Sequence, residues 1–135
     1  MKKTKKQSPE YRLLITPQIN EQEQTSKTLF LLETTRLFTN FSYELSVEEH
    51  MDGKVIRFNI LGLRPPQLSL PAIGPARFTR EYENLRGTFE VVVEGIDGSI
   101  TSFSVLIQPQ RVKLLKSPTK KYVDLIVDKK LWPSN

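Results

Sequence analysis

The sequence predicts an all-β domain, an antiparallel β-sandwich of about eight to ten short strands, with a small β-barrel as the alternative. Three observations predict it. Apolar and polar residues alternate along most of the extended runs. Asp-Gly pairs and prolines punctuate those runs at turn-like spacing. No stretch keeps an apolar stripe of helical period.

The clearest run is residues 87–108, two β-branched, aromatic-rich segments around Asp97-Gly98. Phe89, Val91 and Val93 share one face; Phe103, Val105 and Ile107 share a face on the return. A two-residue loop would set Val91 against Ser104. A three-residue loop, Ile96-Asp97-Gly98, sets Val93 against Thr101, Val91 against Phe103 and Phe89 against Val105. A one-residue slip flips every side chain, so the buried face selects the longer loop. Gly98 then takes the left-handed position of a bulged turn. These two strands place Phe89, Val91, Phe103 and Val105 in the core.

Taken in order, residues 1–9 are polar and Lys-rich and are expected to be a disordered basic tail. Residues 10–128 form a single domain and 129–135 a C-terminal tail. Tyr11 to Thr16 is a strand that Pro17 is expected to stop, and Asn20 to Lys27 reads as a polar loop. Thr28 to Phe38 has apolar residues that settle on no helical face and threonines that favour strand. Phe41 to Gly62 is a hairpin around Asp52-Gly53. A two-residue turn there pairs Val47 with Phe58, Leu45 with Ile60 and Glu48 with Arg57, and buries Phe58. Gln67 to Leu70, fenced by Pro65, Pro66, Pro71 and Pro75, suits only a sheet edge. Ala76 to Asn84, Arg111 to Leu115 and Tyr122 to Val127 complete the strands. Binding through an unblunted edge is expected at the first or the last strand.

The chain has 135 residues and no Cys, which excludes a disulfide framework, a thiolate metal site and a Cys nucleophile. That composition suits a reducing, cytoplasmic setting. The lysines at the start are followed by Gln7-Ser8-Pro9-Glu10 instead of an apolar stretch, so no signal peptide is read there. The longest apolar run is Leu29 to Leu32, far below a membrane span. Asn40-Phe41-Ser42 matches a glycosylation sequon, which without an export signal reads as chance.

The net charge of +5 is uneven. Residues 1–6 hold four Lys; residues 111–130 hold Arg111 and six Lys against Asp124 and Asp128, leaving the body acidic. Lys2, Lys3, Lys5, Lys6, Arg111, Lys113, Lys116, Lys120 and Lys121 are therefore the candidate contacts for an acidic partner or polyanion. The bland reading of such basic ends is that they keep the chain soluble.

Catalytic chemistry is hard to assemble. His50 is the only histidine. It sits among Glu48, Glu49 and Asp52 at a hairpin tip, where strand alternation turns Glu49 away from its neighbours. The usual metal-ligand sets lack a second His. No nucleophile-elbow motif and no Gly-rich phosphate loop occurs. Phe78 to Tyr82 comes closest to an aromatic-basic nucleic-acid platform, weakened by Glu81 and Glu83.

Tyr82, Leu85, Gly87, Phe89, Val91 and Val93 together resemble the corner leading into the penultimate strand of immunoglobulin-like and fibronectin type III-like domains. The resemblance spans about twelve residues and has Phe89 where those families use a hydrogen-bonding Tyr. It implies an immunoglobulin-like sandwich scaffold, usually a binding or structural module. The expected function is non-enzymatic protein–protein contact, with another protein or a second copy, without cofactor or metal. A small-molecule carrier barrel, or nucleic-acid contact through the basic termini, are the alternatives.

Overall fold

Nine strands follow one another in the chain: β1 Tyr11–Asn20, β2 Thr25–Thr34, β3 Glu44–Asp52, β4 Val55–Arg64, β5 Arg77–Glu83, β6 Gly87–Glu94, β7 Ile100–Gln108, β8 Arg111–Lys116 and β9 Val123–Val127. The structure is a computed structural model that describes residues 10–20, 22, 25–39, 43–65, 73–117 and 123–127. The tails 1–9 and 129–135 and the Gln67 to Leu70 segment lie outside the described residues. Among the described residues no helix occurs, and so none long and apolar enough to cross a membrane.

All nine strands join one sheet in the order β8-β7-β6-β4-β3-β5-β2-β1-β9. Its two ends come close to each other, β8 beside β1 and β9, so the sheet curls into a nearly closed barrel. The expected two-sheet sandwich is not what this strand order shows; the barrel alternative fits it. The expectation of a purely antiparallel sheet is corrected as well. β1 runs parallel to β9, and β4 parallel to β6. For β4 and β6 the physical reason is the path of β5. It crosses to pair antiparallel with β2, which leaves the edge of β4 to β6.

The β6–β7 hairpin has the register that its buried face demands: Val91 faces Phe103, Phe89 faces Val105 and Val93 faces Thr101. Gly98 stands at φ +89°, where a side chain would strain the turn. Asp97 caps that turn by accepting the Ser99 N–H at 3.0 Å, which holds its carboxyl below the usual range.

The β3–β4 hairpin corrects its expected register. Asp52 pairs with Val55, so the two-residue loop is Gly53-Lys54, one position later than expected. Gly53 has φ +61° and Lys54 no positive φ, the glycine-first form of a primed turn. Val47 therefore faces Ile60, Glu49 faces Phe58 and Glu48 faces Asn59. Moving the loop by one residue changes the partners by two, so the same faces stay buried while the expected Glu48–Arg57 pair is lost. Arg57 instead donates to Glu94 at 3.3 Å. Leu61 is the extra residue of a β-bulge opposite Ser46 and Val47, and it stands exposed.

Pro17 does not stop β1. It pairs opposite Thr28, beyond Ile15, the last residue of β1 that β9 reaches among the described residues. A proline is tolerated where one side of its strand carries no ladder. The expected polar loop is correspondingly shorter, because Gln18, Ile19 and Asn20 pair with Lys27, Ser26 and Thr25. Backbone pairing there does not depend on apolar side chains. β2 ends at Thr34, before the expected Phe38. The Thr34 hydroxyl accepts the Ala76 N–H at 2.9 Å and donates to the Arg36 carbonyl at 2.8 Å, which turns the chain. Phe38 then bridges to Gly74 and stacks edge-on against Tyr43.

The interior is filled by alternate residues of the strands. Leu13, Ile15, Phe30, Leu32, Leu45, Ile56, Phe58, Phe89, Val91, Val93, Phe103, Val105 and Ile107 are buried in one cluster. Phe58 is central to it, with the Phe30 ring 5.6 Å away and the Phe78 ring 6.0 Å away.

The outer face carries a belt of alternating charge. The pairing registers line up Asp124, Arg12, Glu33, Arg77, Glu44 and Arg64 across β9, β1, β2, β5, β3 and β4. Glu33 is buried between two guanidinium groups, accepting from Arg12 at 2.8 Å and Arg77 at 3.0 Å. Arg64 donates to Glu44 at 2.7 Å. Cross-strand neighbours of opposite sign favour this register over a one-residue slip.

Candidate interaction surface

β8 ends the sheet. Among the described residues it pairs along β7 alone, with Val105 facing Leu114 and Ile107 facing Val112. Val112 is buried and Leu114 half-buried, while Arg111, Lys113 and Lys116 are exposed. Strand alternation thus turns β8's apolar residues into the barrel and leaves its cations outside. A second bulge, between Ser104 and Val105 on β7, makes Leu115 the extra residue and leaves it exposed. The hairpin that precedes the strand forms an open cleft of about 430 Å³ lined by Gln108, Pro109, Gln110 and Arg111. Of the basic residues singled out in the sequence, Arg111, Lys113 and Lys116 meet on this one strand. Lys2, Lys3, Lys5, Lys6, Lys120 and Lys121 lie outside the described residues. Of the two strands expected to offer an edge, β1 is ruled out, since β2 and β9 flank it; β9 is the far end of the sheet.

A second polar cluster lies where β3 and β5 meet. Their ladder is a single pair, Glu44 with Arg77, after which no further pair joins the two strands among the described residues. Side chains span the seam beyond it. Arg80 Nε donates to Glu49 Oε1 at 2.6 Å, and the Tyr82 hydroxyl donates to Glu49 Oε2. The Arg80 guanidinium lies 4.6 Å above the Tyr82 ring, whose other contact is Phe30 at 5.4 Å, edge to face. Burial, and then the Glu49 carboxylate beside it, push the Tyr82 phenol far above its ordinary range. A phenol held protonated this way is a fixed donor and a poor acid, so the cluster acts as a clasp. The sequence hid it because Glu49 and Tyr82 are far apart along the chain. The strand alternation that separates Glu49 from Glu48 was the only signal.

Tyr82→Phe tests the clasp through pH. Below the ordinary phenol pKa of 10.0, Tyr82 keeps its proton whether the chain is folded or unfolded. Above it, the unfolded chain loses that proton while the folded chain retains it. Folding then binds the extra proton, and stability falls as the pH rises. Urea melts at pH about 8 and about 11 are expected to show a steeper alkaline loss for the natural protein than for Tyr82→Phe. Equal losses would show that Tyr82 has no part in it.

The other expected sites have these positions. His50 is exposed on the outer face opposite Arg57, and among the described residues no cluster of His, Cys, Asp or Glu is arranged to hold a metal ion. Tyr82 is buried and Phe78 half-buried against Phe58, so Phe78 to Tyr82 presents no exposed aromatic face for bases to stack on. Set against known protein families, curated proteins and solved structures, the chain matches none of them.

Proposed function

We propose that the protein is a non-enzymatic interaction module that takes up an acidic protein segment along β8. The observation that carries this reading is the combination on one strand of an end-of-sheet backbone and three outward cations, Arg111, Lys113 and Lys116. Unpaired N–H and C=O groups accept a further strand, and the cations select an acidic one. The interior packed with Phe30, Phe58 and Phe103 supports this reading over a carrier barrel, which needs room inside. The one-pair junction of β3 and β5, with five strands on one side and four on the other, supports kinship with a two-layer, immunoglobulin-like binding scaffold.

The test is binding of a Glu-rich, β-prone peptide to the full chain and to the Lys113→Glu/Lys116→Glu variant, at low and high salt. Binding is expected at low salt, weakened at high salt because exposed charges are screened over about 8 Å at ~0.15 M. It is expected to be lost in the variant. Binding that withstands both salt and charge reversal would defeat the reading.

A further inference from the structure

Three buried apolar residues stand apart from the core cluster: Leu14, Leu31 and Val92. Each lies between two core residues of its own strand, so each points out of the barrel. Val92 has its cover. It faces Arg57, whose guanidinium runs along β6 to Glu94, so the arginine stem lies over a small side chain.

Leu14 and Leu31 are different. They face each other across β1 and β2 and are only 4% and 6% exposed. The Arg12–Glu33 pair stands on one flank, Thr16 and Leu29 on the other, and Ile126 and Thr79 end the row. Arg12 is tied to Glu33 in its own row, and the threonines are too short to roof two leucines. Outward apolar residues elsewhere on the sheet stand open, with Leu61 57%, Ile100 53% and Leu115 49% exposed. All nine strands lie in one sheet, and no helix occurs among the described residues, so no strand or helix among them roofs this face. Burial of the two leucines therefore calls for a further piece of chain.

Two ends of the chain adjoin this face. Residues 1–9 have Met1 as their one large apolar residue, whereas residues 128–135 hold Leu131, Trp132 and Pro133. The second segment continues from β9, which already touches the row through Ile126, the partner of Leu14. Its eight residues span about 25 Å when extended. Leu14 and Leu31 are one and two strands away, about 5 and 10 Å.

We propose that residues 128–135 fold back over the outer face of β9, β1 and β2 and seat Trp132 on Leu14, Leu31 and Ile126. A tryptophan side chain buries ~150–250 Å², enough to roof two adjacent leucines. The segment thereby withdraws from other chains a face that would otherwise present Leu14, Leu31, Leu29 and Ile126 as one apolar patch.

Trp132 is the chain's single tryptophan, so its fluorescence reports this segment alone, and the absence of Cys allows a nitroxide label at one chosen position. The experiment places the label at Thr79→Cys, beside Leu31, or at Ser102→Cys, on the outer face of β7; both positions are exposed. The Thr79 label is expected to lower Trp132 emission severalfold in the folded full chain, and the Ser102 label to leave it unchanged. In the unlabelled chain, acrylamide is expected to quench Trp132 severalfold less than in urea, at every protein concentration. Leu14→Thr and Leu31→Thr, which suit a strand, are expected to raise that quenching with the folded circular dichroism retained. Equal effects of the two labels, or quenching as strong as in urea, would overturn the proposal. Shielding that is lost on dilution would assign the cover to a second copy and overturn it as well.

Discussion

Phe58→Ala is expected to lower the unfolding free energy by about 3–5 kcal/mol, the range for deleting a buried aromatic ring. Phe58 is 1% exposed, and its ring touches those of Phe30 and Phe78. It lies on β4, which joins the antiparallel β3 to the parallel β6. The cavity would open where these two kinds of pairing meet, between ladders that cannot move together to fill it. Phe58→Leu keeps most of the volume and is expected to cost roughly 1–1.5 kcal/mol. Urea melts with a common slope provide the measurement. A loss under ~1 kcal/mol for the alanine variant would show that the site collapses and that Phe58 is not a keystone of the core.

Glu33→Ala is expected to cost about 2–3 kcal/mol, because it leaves Arg12 and Arg77 facing each other with no carboxylate between them. The figure sits below that of a fully buried pair because the Arg12 and Arg77 side chains are 39% and 57% exposed. Removing one arginine is expected to cost less, since Glu33 keeps the other. The distinguishing measurement is a double-mutant cycle of Glu33→Ala with Arg77→Ala. If the belt holds register, the two losses are strongly non-additive, and the second substitution adds little once Glu33 is gone. Additive losses would mean that Arg77 and Glu33 act separately.

What could be read from the sequence divides by distance along the chain. The β6–β7 register was legible because two local facts agreed: Gly98 where a left-handed residue is needed, and a face of Phe and Val that meets its partner in one register only. The burial of Phe58, Phe89, Val91, Phe103 and Val105 followed from the same alternation. At Asp52-Gly53-Lys54 local chemistry was ambiguous. An Asp-Gly pair suits either the centre of a turn or its entry, and both choices bury the same face, so nothing in the pattern could separate them. The parallel pairings of β1 with β9 and of β4 with β6 left no local mark, since they join strands that do not follow one another in the chain. The candidate sites divide in the same way. The cations of β8 were visible as a basic segment. The Glu49–Arg80–Tyr82 clasp was not, because it is made by strands that meet only in the folded barrel.

The pairing of β1 with β9 also sets a clock on biosynthesis. Tyr11 leaves the ribosome before its neighbour Val123, which follows more than one hundred residues later. At roughly 5–20 residues per second, the outer edge of β1 waits on the order of ten seconds for its strand. Through that interval β2 can cover one side of β1, but the other side presents an unpaired ladder beside Leu13 and Ile15. Every nascent copy carries the same open edge, so neighbouring chains on one message are each other's nearest false partners. The finished barrel no longer has that hazard, because β9 covers that edge of β1.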